Sequence, residues 1–388
     1  MSHSARLLSQ LQGCLDDFLN TRSSILTDIS PDAAPLLERS QNFLSGGKRF
    51  RALFTYWAWR GLVENRESDP FVSTPQGEAL NDPDSLEASP QASRDHSTVI
   101  RVASALELFH AAALVHDDVI DNSDTRRGAL AAHKQFEHAH LNGEWRGSAA
   151  AFGVAGAILL GDLLQFWSDE LFNDGTSALA DQVSARAARA HFNRMRSEVA
   201  AGQYLDVLEE QVWGNASDAE QLERSTRVLI YKSAKYTVEA PLLIGAALAG
   251  ATPEQEALLS DFGLPLGIAY QLRDDVLGVF GDSSITGKPS GDDLREGKQT
   301  VLIALTRRAL PGNQRRLFDE LVGDPTLDSA QITLLQNTIT DTGALAQVEK
   351  MITENVQRSQ SALDDAPVGP VTRHQLRTLA NRVANRVA

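Results

Sequence analysis

"VIRVASALELFHAAALVHDDVID", residues 99–121, repeats apolar side chains at Val99, Val102, Ala103, Leu106, Phe109 and Ala113, and no proline interrupts the run. That 3.6-residue period predicts a long buried helix. Similar runs occur at about 149–172, 178–212, 219–249 and 254–281, with shorter ones from 299 onward. Strict two-residue alternation between turn residues is almost absent, so the expected class is all-α: a bundle of helices around one hydrophobic core.

Two stretches break the pattern. Asn65–Ser97 holds four prolines and one aromatic residue, too little apolar surface to bury, and is expected to be a long mobile loop. A smaller excursion is expected at Glu137–Ser148, "EHAHLNGEWRGS". Helical segments with similar apolar faces lie on both sides of each, so residues 1–388 are read as one domain.

The net charge of −15 and the scatter of most basic residues argue against a nucleic-acid partner. Some basic residues cluster nonetheless, in "GGKRFR" (Gly46–Arg51) and at Arg126 and Arg127. Local basic pockets in an acidic chain suit a small anionic ligand. With Cys14 as the sole cysteine, no intramolecular disulfide can form, and a reducing, cytoplasmic location is expected. The start "MSHSARLLSQ" lacks signal-peptide features, and the most apolar run, Ala149–Gly161, is too short to span a bilayer, so no transmembrane segment is expected.

Asp117 and Asp121, four residues apart, put two carboxylates on one helix face about 6 Å from each other, with Asp118 partway round the cylinder. Like charges so spaced stay solvated or hold divalent cations, and hard Mg²⁺ suits carboxylate, water and phosphate oxygens. The pattern alone is weak: "DDLRE" (Asp292–Glu296) fits it too. Its setting strengthens it, because the aspartates end an otherwise apolar helix and a second pair, Asp274 and Asp275, ends another. Two such sets facing one cavity would need cations between them, bridged by a diphosphate.

"GGKRFR", "LVHDDVIDNSDTRRG", Gly161–Asp162, "GQYLD" (202–206), "YKSAKYTVEAPLLIGAALAG", "YQLRDD" and "GKPSGDDLREGK" together resemble the trans-isoprenyl diphosphate synthases, or polyprenyl synthetases, most of all those making geranylgeranyl diphosphate. The resemblance spans about residues 40–300. It implies the isoprenoid synthase fold, a homodimer, and a head-to-tail condensation. In that reaction an allylic diphosphate (dimethylallyl, geranyl or farnesyl) ionises with Mg²⁺, and isopentenyl diphosphate attacks the cation. The released diphosphate can take the proton, so no side-chain base is needed.

By similarity, about three Mg²⁺ would be held by Asp117, Asp121 and Asp274, with Asp118 and Asp275 behind them. Arg126, Lys232 and Lys288 would grip the allylic diphosphate, with Lys298 nearby; Lys48, Arg51, His110 and Arg127 would hold isopentenyl diphosphate. Gln203, Ser233 and Gln271 would line the reacting carbons. Ala112 and Ala113 are small where the growing chain would pass, and Phe109, roughly 5 Å deeper along the helix, would be the floor that sets a C20 product.

The chain also departs from the family pattern. Gly278 stands where the second acidic motif usually closes with aspartate, Ser233 replaces a threonine, and the usual Pro-Thr before His133 is missing. Asp282 lies another turn beyond Gly278. Competing readings are a farnesyl or longer-chain synthase, a class I terpene cyclase, or a non-catalytic subunit of a prenyltransferase complex. A cyclase has no use for "GGKRFR", and a binding subunit would not need both acidic sets. A phosphate-loop reading of "GDSSITGKPS" fails on spacing and on Pro289.

Overall fold

The computed structural model describes residues 3–67, 90–213, 216–282 and 290–384. The helices are α1 (His3–Ile29), α2 (Ala34–Leu44), α3 (Phe50–Glu67), α4 (Pro90–Ile120), α5 (Ala132–Asn142), α6 (Ala149–Ser177), α7 (Gln182–Val212) and α8 (Asp218–Val228). A π-helical segment, Leu229–Glu239, leads into α9 (Ala240–Leu248). Then follow α10 (Pro253–Phe280), α11 (Asp292–Glu296), α12 (Val301–Ala309), α13 (Gly312–Leu321), α14 (Ser329–Asp341), α15 (Ala344–Asp365) and α16 (Pro370–Ala384). The all-α expectation holds, with one exception: β1 (Thr125–Arg126) and β2 (Ala129–Leu130) pair as a two-stranded antiparallel hairpin.

Two expected loops are shorter than the sequence suggested. Helix α3 runs to Glu67 and α4 starts at Pro90, so both edges of the 65–97 stretch are helical; residues 68–89 lie outside the described residues. Proline at a first helical position loses no hydrogen bond, because that N–H has no partner in the helix, so Pro90 starts a helix instead of breaking one. The 137–148 excursion is also helical as far as Asn142. Phe136 and His140 are buried there, and His140, Trp145 and Phe152 pack ring against ring, with centroids 5.2–5.8 Å apart. That packing, absent from any local propensity, carries α5 through the polar stretch.

The chain forms two compact units: Met1–Arg189 with Ile244–Ala251, and Ala190–Leu243 with Thr252–Ala388. In the first, α4 is the central rod. Val99, Val102, Ala103, Ala105, Leu106 and Leu108 point all round its axis and are fully buried, as expected of a helix enclosed on every side. It packs against α6, α3 and α1.

In the second unit α10 is the centre, packed on the π-helical segment, α15 and α16. A capping box between Thr252 and Gln255, with Pro253 at the first position, starts α10. Leu272, Val276 and Val279 of α10 share a core with Leu294 and with Leu302, Ile339 and Val348.

Two helices are long and apolar enough to cross a membrane by length and composition. The short apolar run Ala149–Gly161 lies within the helical run expected over about 149–172, and α6 continues to Ser177 through Asp162 and Asp169. In α4, 78% of the most apolar window is buried, as in the core helix of a soluble protein; in α6 the share is 28%. The exposed face of α6 carries Phe152, Val154, Ile158, Leu159 and Phe166.

Candidate active site

In the first unit the acidic set occupies the last turn of α4. Asp121 N–H donates to the Asp117 carbonyl at 2.8 Å, keeping that turn helical, and Ser123 N–H closes it on the Asp118 carbonyl at 3.0 Å. The hairpin then folds back. Its two linking residues, Arg127 (φ 53°) and Gly128 (φ 76°), are both left-handed, the backbone that a tight two-residue turn demands. The reversal brings Arg126 onto the aspartates: Nε donates to Asp118 Oδ1 at 2.8 Å, and Nη2 reaches Asp118 Oδ1 and, at 3.4 Å, Asp117 Oδ2. Asp118 is fully buried, so this ion pair is what lets a charge sit there.

The same arginines form half of a basic set. His110 lies two turns before Asp117, and its pKa is held well below 6.5 by burial and then by Arg51, Arg127, Arg126 and Arg49. Burial and these nearby guanidinium groups favour the neutral imidazole. The loop before α3 closes on this set, with Gly47 so near the Arg127 guanidinium that a β-carbon there would lie 3.6 Å from it. Arg49, which the sequence reading passed over, anchors the loop. Its guanidinium bonds Gln12 Oε1 at 2.7 Å and the Leu44 carbonyl, and pairs at 3.4 Å with Glu107, itself buried. Burial, and then the neighbouring Arg126, lower the pKa of Arg127. Cations held this close, at the end of a helix that also bears carboxylates, suit an anion of high charge.

In the second unit, two glycines let helices close on the π-helical segment. A β-carbon on Gly202 of α7 would lie 2.4 Å from the Lys232 backbone nitrogen, and one on Gly267 of α10 would lie 2.3 Å from the Ala234 carbonyl. The close approach sets Lys232 against Asp206 as an ion pair. Gln203, on the next residue of α7, has its buried Nε2 without a hydrogen-bond partner. Ser233 is half-buried beside Lys232. Such π segments are rare and recur at functional sites.

On α10, Gln271 Nε2 donates to Asp275 Oδ1 at 2.8 Å. Burial pushes the Asp275 carboxyl up to about 8; the Gln271 bond opposes this, while Asp293, Asp274 and Asp206 add to it. Lys298 pairs with Glu296 at 2.7 Å. Asp282 is exposed beyond the end of α10, and Lys288 lies outside the described residues. Phe109 and Ala112 are buried on α4, and Ala113 is half-buried.

Within each unit, then, the expected residues do gather: Asp117, Asp118 and Arg126; Arg51, His110, Arg126 and Arg127; Gln271, Asp274 and Asp275. Among the described residues no three His, Cys, Asp or Glu side chains converge tightly enough to hold a metal alone. The donors on offer are carboxylate oxygens, which suits Mg²⁺, an ion usually held by one or two carboxylates with phosphate and water oxygens completing its shell.

Residues 35–339 match the polyprenyl synthetase family. The chain belongs to that family. Membership makes it a prenyltransferase of the trans-prenyl diphosphate synthase type. Among relatives, the geranylfarnesyl diphosphate synthase of Aeropyrum pernix is 30% identical over 74% of this chain and 83% of its own length. The geranylgeranyl diphosphate synthase of Sulfolobus acidocaldarius is 27% identical over 84% of this chain and 83% of its own. Among solved structures, the Corynebacterium glutamicum geranylgeranyl pyrophosphate synthase complexed with isoprenyl diphosphate and magnesium superposes with a TM-score of 0.84. It is 32% identical and covers 98% of this chain and 99% of its own.

Proposed function

We propose that this synthase joins isopentenyl diphosphate to an allylic diphosphate in a Mg²⁺-dependent head-to-tail condensation, with geranylgeranyl diphosphate (C20) as the main product. What supports it most is the geometry at the end of α4, where the hairpin returns Arg126 to Asp117 and Asp118 on the helix that also carries His110 and Asp121. In this reading Arg51, His110, Arg127 and the Lys48 loop bind the diphosphate of isopentenyl diphosphate. Asp117, Asp121 and Asp274 would hold about three Mg²⁺ with diphosphate oxygens.

Bound Mg²⁺ supplies charge neutralisation for a leaving diphosphate. Arg126 and Lys232 orient that diphosphate and share its growing charge. Asp118 positions Arg126, and Asp206 positions Lys232. Amide and hydroxyl dipoles of Gln203, Ser233 and Gln271 line the reacting carbons and steady the cation without capturing it. The allylic carbon–oxygen bond breaks, the isopentenyl double bond forms the new carbon–carbon bond, and a proton leaves to the released diphosphate.

Small side chains at Ala112 and Ala113 let the product pass, and Phe109 stops it. The relatives' names, geranylgeranyl and geranylfarnesyl diphosphate synthase, support a product of this length or longer. The apolar outer face of α6, with Leu159 and Phe166 each more than 60% exposed, is covered in this reading by a second copy of the chain, and the protein is a cytoplasmic homodimer. Light scattering should give twice the chain mass of 42.1 kDa at micromolar concentration; a monomer ends the dimer proposal. Radiolabelled isopentenyl diphosphate with Mg²⁺ and each allylic primer tests the reaction, and product mass tests its length. No incorporation with any primer overturns the assignment.

A further inference from the structure

On α7, Glu198, Gly202 and Asp206 follow one another at four-residue intervals and share a helix face. The π-helical segment crosses that face at Gly202. A β-carbon on Gly202 would lie 2.4 Å from the Lys232 nitrogen and 2.7 Å from the Tyr231 carbonyl carbon, so only a glycine admits the crossing. A lysine reaches out on each side of it. Lys232 pairs with Asp206, one turn after the glycine, and Lys235 Nζ donates to Glu198 Oε1 at 2.9 Å, one turn before it. All four side chains are only 15–20% exposed, so water screens these pairs less than it would surface ones.

Lys235 and Glu198 are themselves held from several directions. The Lys235 ammonium lies 5.1 Å from the Tyr231 ring centroid, and Glu239 Oε2 is 3.9 Å from it. Glu239 is buried and accepts a hydrogen bond from Ser260 Oγ of α10. Arg194 Nε donates to Glu198 Oε1 at 2.8 Å. Burial works to raise the Glu198 pKa, but the bonds from Lys235 and Arg194 outweigh it and bring the carboxyl below its ordinary value. A π-helix places more residues in each turn than an α-helix, so the angle between Lys232 and Lys235 depends on which winding the segment keeps. Carboxylates fixed one turn on either side of Gly202 match the present angle, and the two pairs together lock the winding between them.

We propose that Glu198 and Lys235 are positioning residues for Lys232: their ion pair holds the π winding in which Lys232 meets the allylic diphosphate. The inference rests on the function proposed above, which gives Lys232 that ligand. In this role both residues act through Lys232, and the binding of isopentenyl diphosphate does not depend on them.

The test is a double-mutant cycle on the full chain, read by steady-state kinetics with Mg²⁺, varying farnesyl diphosphate and isopentenyl diphosphate in turn. Lys232→Met removes a cation that neutralises the leaving group and should lower kcat/KM for farnesyl diphosphate by about 100-fold. Glu198→Gln keeps the shape without the charge; it should lower the same constant by about tenfold and leave KM for isopentenyl diphosphate within about twofold of wild type. The two combined should match Lys232→Met alone within about threefold, because a positioning residue then has nothing left to position. Losses that multiply, equal rises in both KM values, or wild-type kinetics in Glu198→Gln overturn the inference and leave the pair a structural one. Should Glu198→Gln fail to fold by circular dichroism, Glu198→Asp, which keeps the charge and shortens the reach, is read in the same cycle. If Lys232→Met matches the wild type, the role given to Lys232 in the functional reading falls as well; if Lys232→Met is impaired and Glu198→Gln is not, only this inference falls.

Discussion

The two acidic sets end similar apolar helices, yet their electrostatics differ. On α4, buried Asp118 is matched by Arg126, which the hairpin folds back onto it, so the carboxylates meet a built-in cation. On α10, buried Asp275 is met by the amide of Gln271 and crowded by the carboxylates of Asp293, Asp274 and Asp206, and its pKa rises to about 8. One buried carboxylate is balanced by an arginine; the other is kept protonated at neutral pH, chiefly by burial and further by the carboxylates near it. Equal motifs in sequence thus give one carboxylate whose loss of partner falls on folding, and one whose contribution to stability answers to pH.

The largest expected effect belongs to the carboxylates proposed to hold metal. Asp117→Ala should reduce kcat/KM by about 10³-fold or more, since Lewis-acid stabilisation contributes several kcal/mol and each 1.36 kcal/mol is tenfold. Loss below tenfold would deny Asp117 that role.

Asp118→Ala sharpens the contrast through stability. It leaves Arg126 without its main counter-charge and should cost about 3 kcal/mol in urea unfolding, the range for breaking a buried pair. Asp275→Asn, by contrast, should leave stability at neutral pH unchanged or raised. Equal losses in the two variants would erase the distinction.

The pH limbs should separate as well. Asp275 titrates near 8 in the folded chain and near 3.8 when unfolded, so the folded state keeps a proton between those values. Its contribution is complete below the unfolded pKa and is lost as pH rises through 8, with a slope up to about 1.4 kcal/mol per pH unit. His110 works in the opposite sense. Its folded pKa is depressed, so the unfolded chain takes the proton first, and stability falls as pH drops below 6.5. Metal-free thermal melts from pH 5 to 9 should show Asp275→Asn removing a loss of stability that accrues as pH rises from 5 to 8, and His110→Gln removing the fall below pH 6.5. A variant that flattens the other limb would reverse the assignment.

The smallest effect on rate, and the sharpest on product, is expected from Phe109→Ala. Chains longer than C20 should appear by mass analysis while turnover changes by less than about tenfold. An unchanged product removes Phe109 from the role of floor.

Much of this was legible before any coordinates. The period in 99–121 reports burial on every side of α4, because burial is what apolar spacing encodes. The acidic and basic clusters were legible as residue types in order. The hairpin was not: its strands have two residues each, too few to show alternation, and the turn depends on Arg127 taking a left-handed backbone. Nor was the true reach of α4 and α5, since Pro90 and the polar 137–142 stretch read locally as loop while burial of Phe136 and His140 made α5 helical. The contacts of Arg49 with Glu107 and of Asp206 with Lys232 escaped notice because each depends on a partner distant in sequence.

What the chain's residues determined by themselves was the class of fold, the family and the chemical inventory, since these follow from periodicity and from side-chain types in order. The tertiary structure alone decided which charges are neutralised and which are stranded. Local sequence places Asp118 and Asp275 in like positions, and their polar partners are near in the chain: the hairpin turn returns Arg126 to the first, and Gln271, one helical turn back, meets the second. The free energy of a buried charge depends on how far water is excluded from it as well as on its partner, and that exclusion is set by packing between segments far apart in the chain.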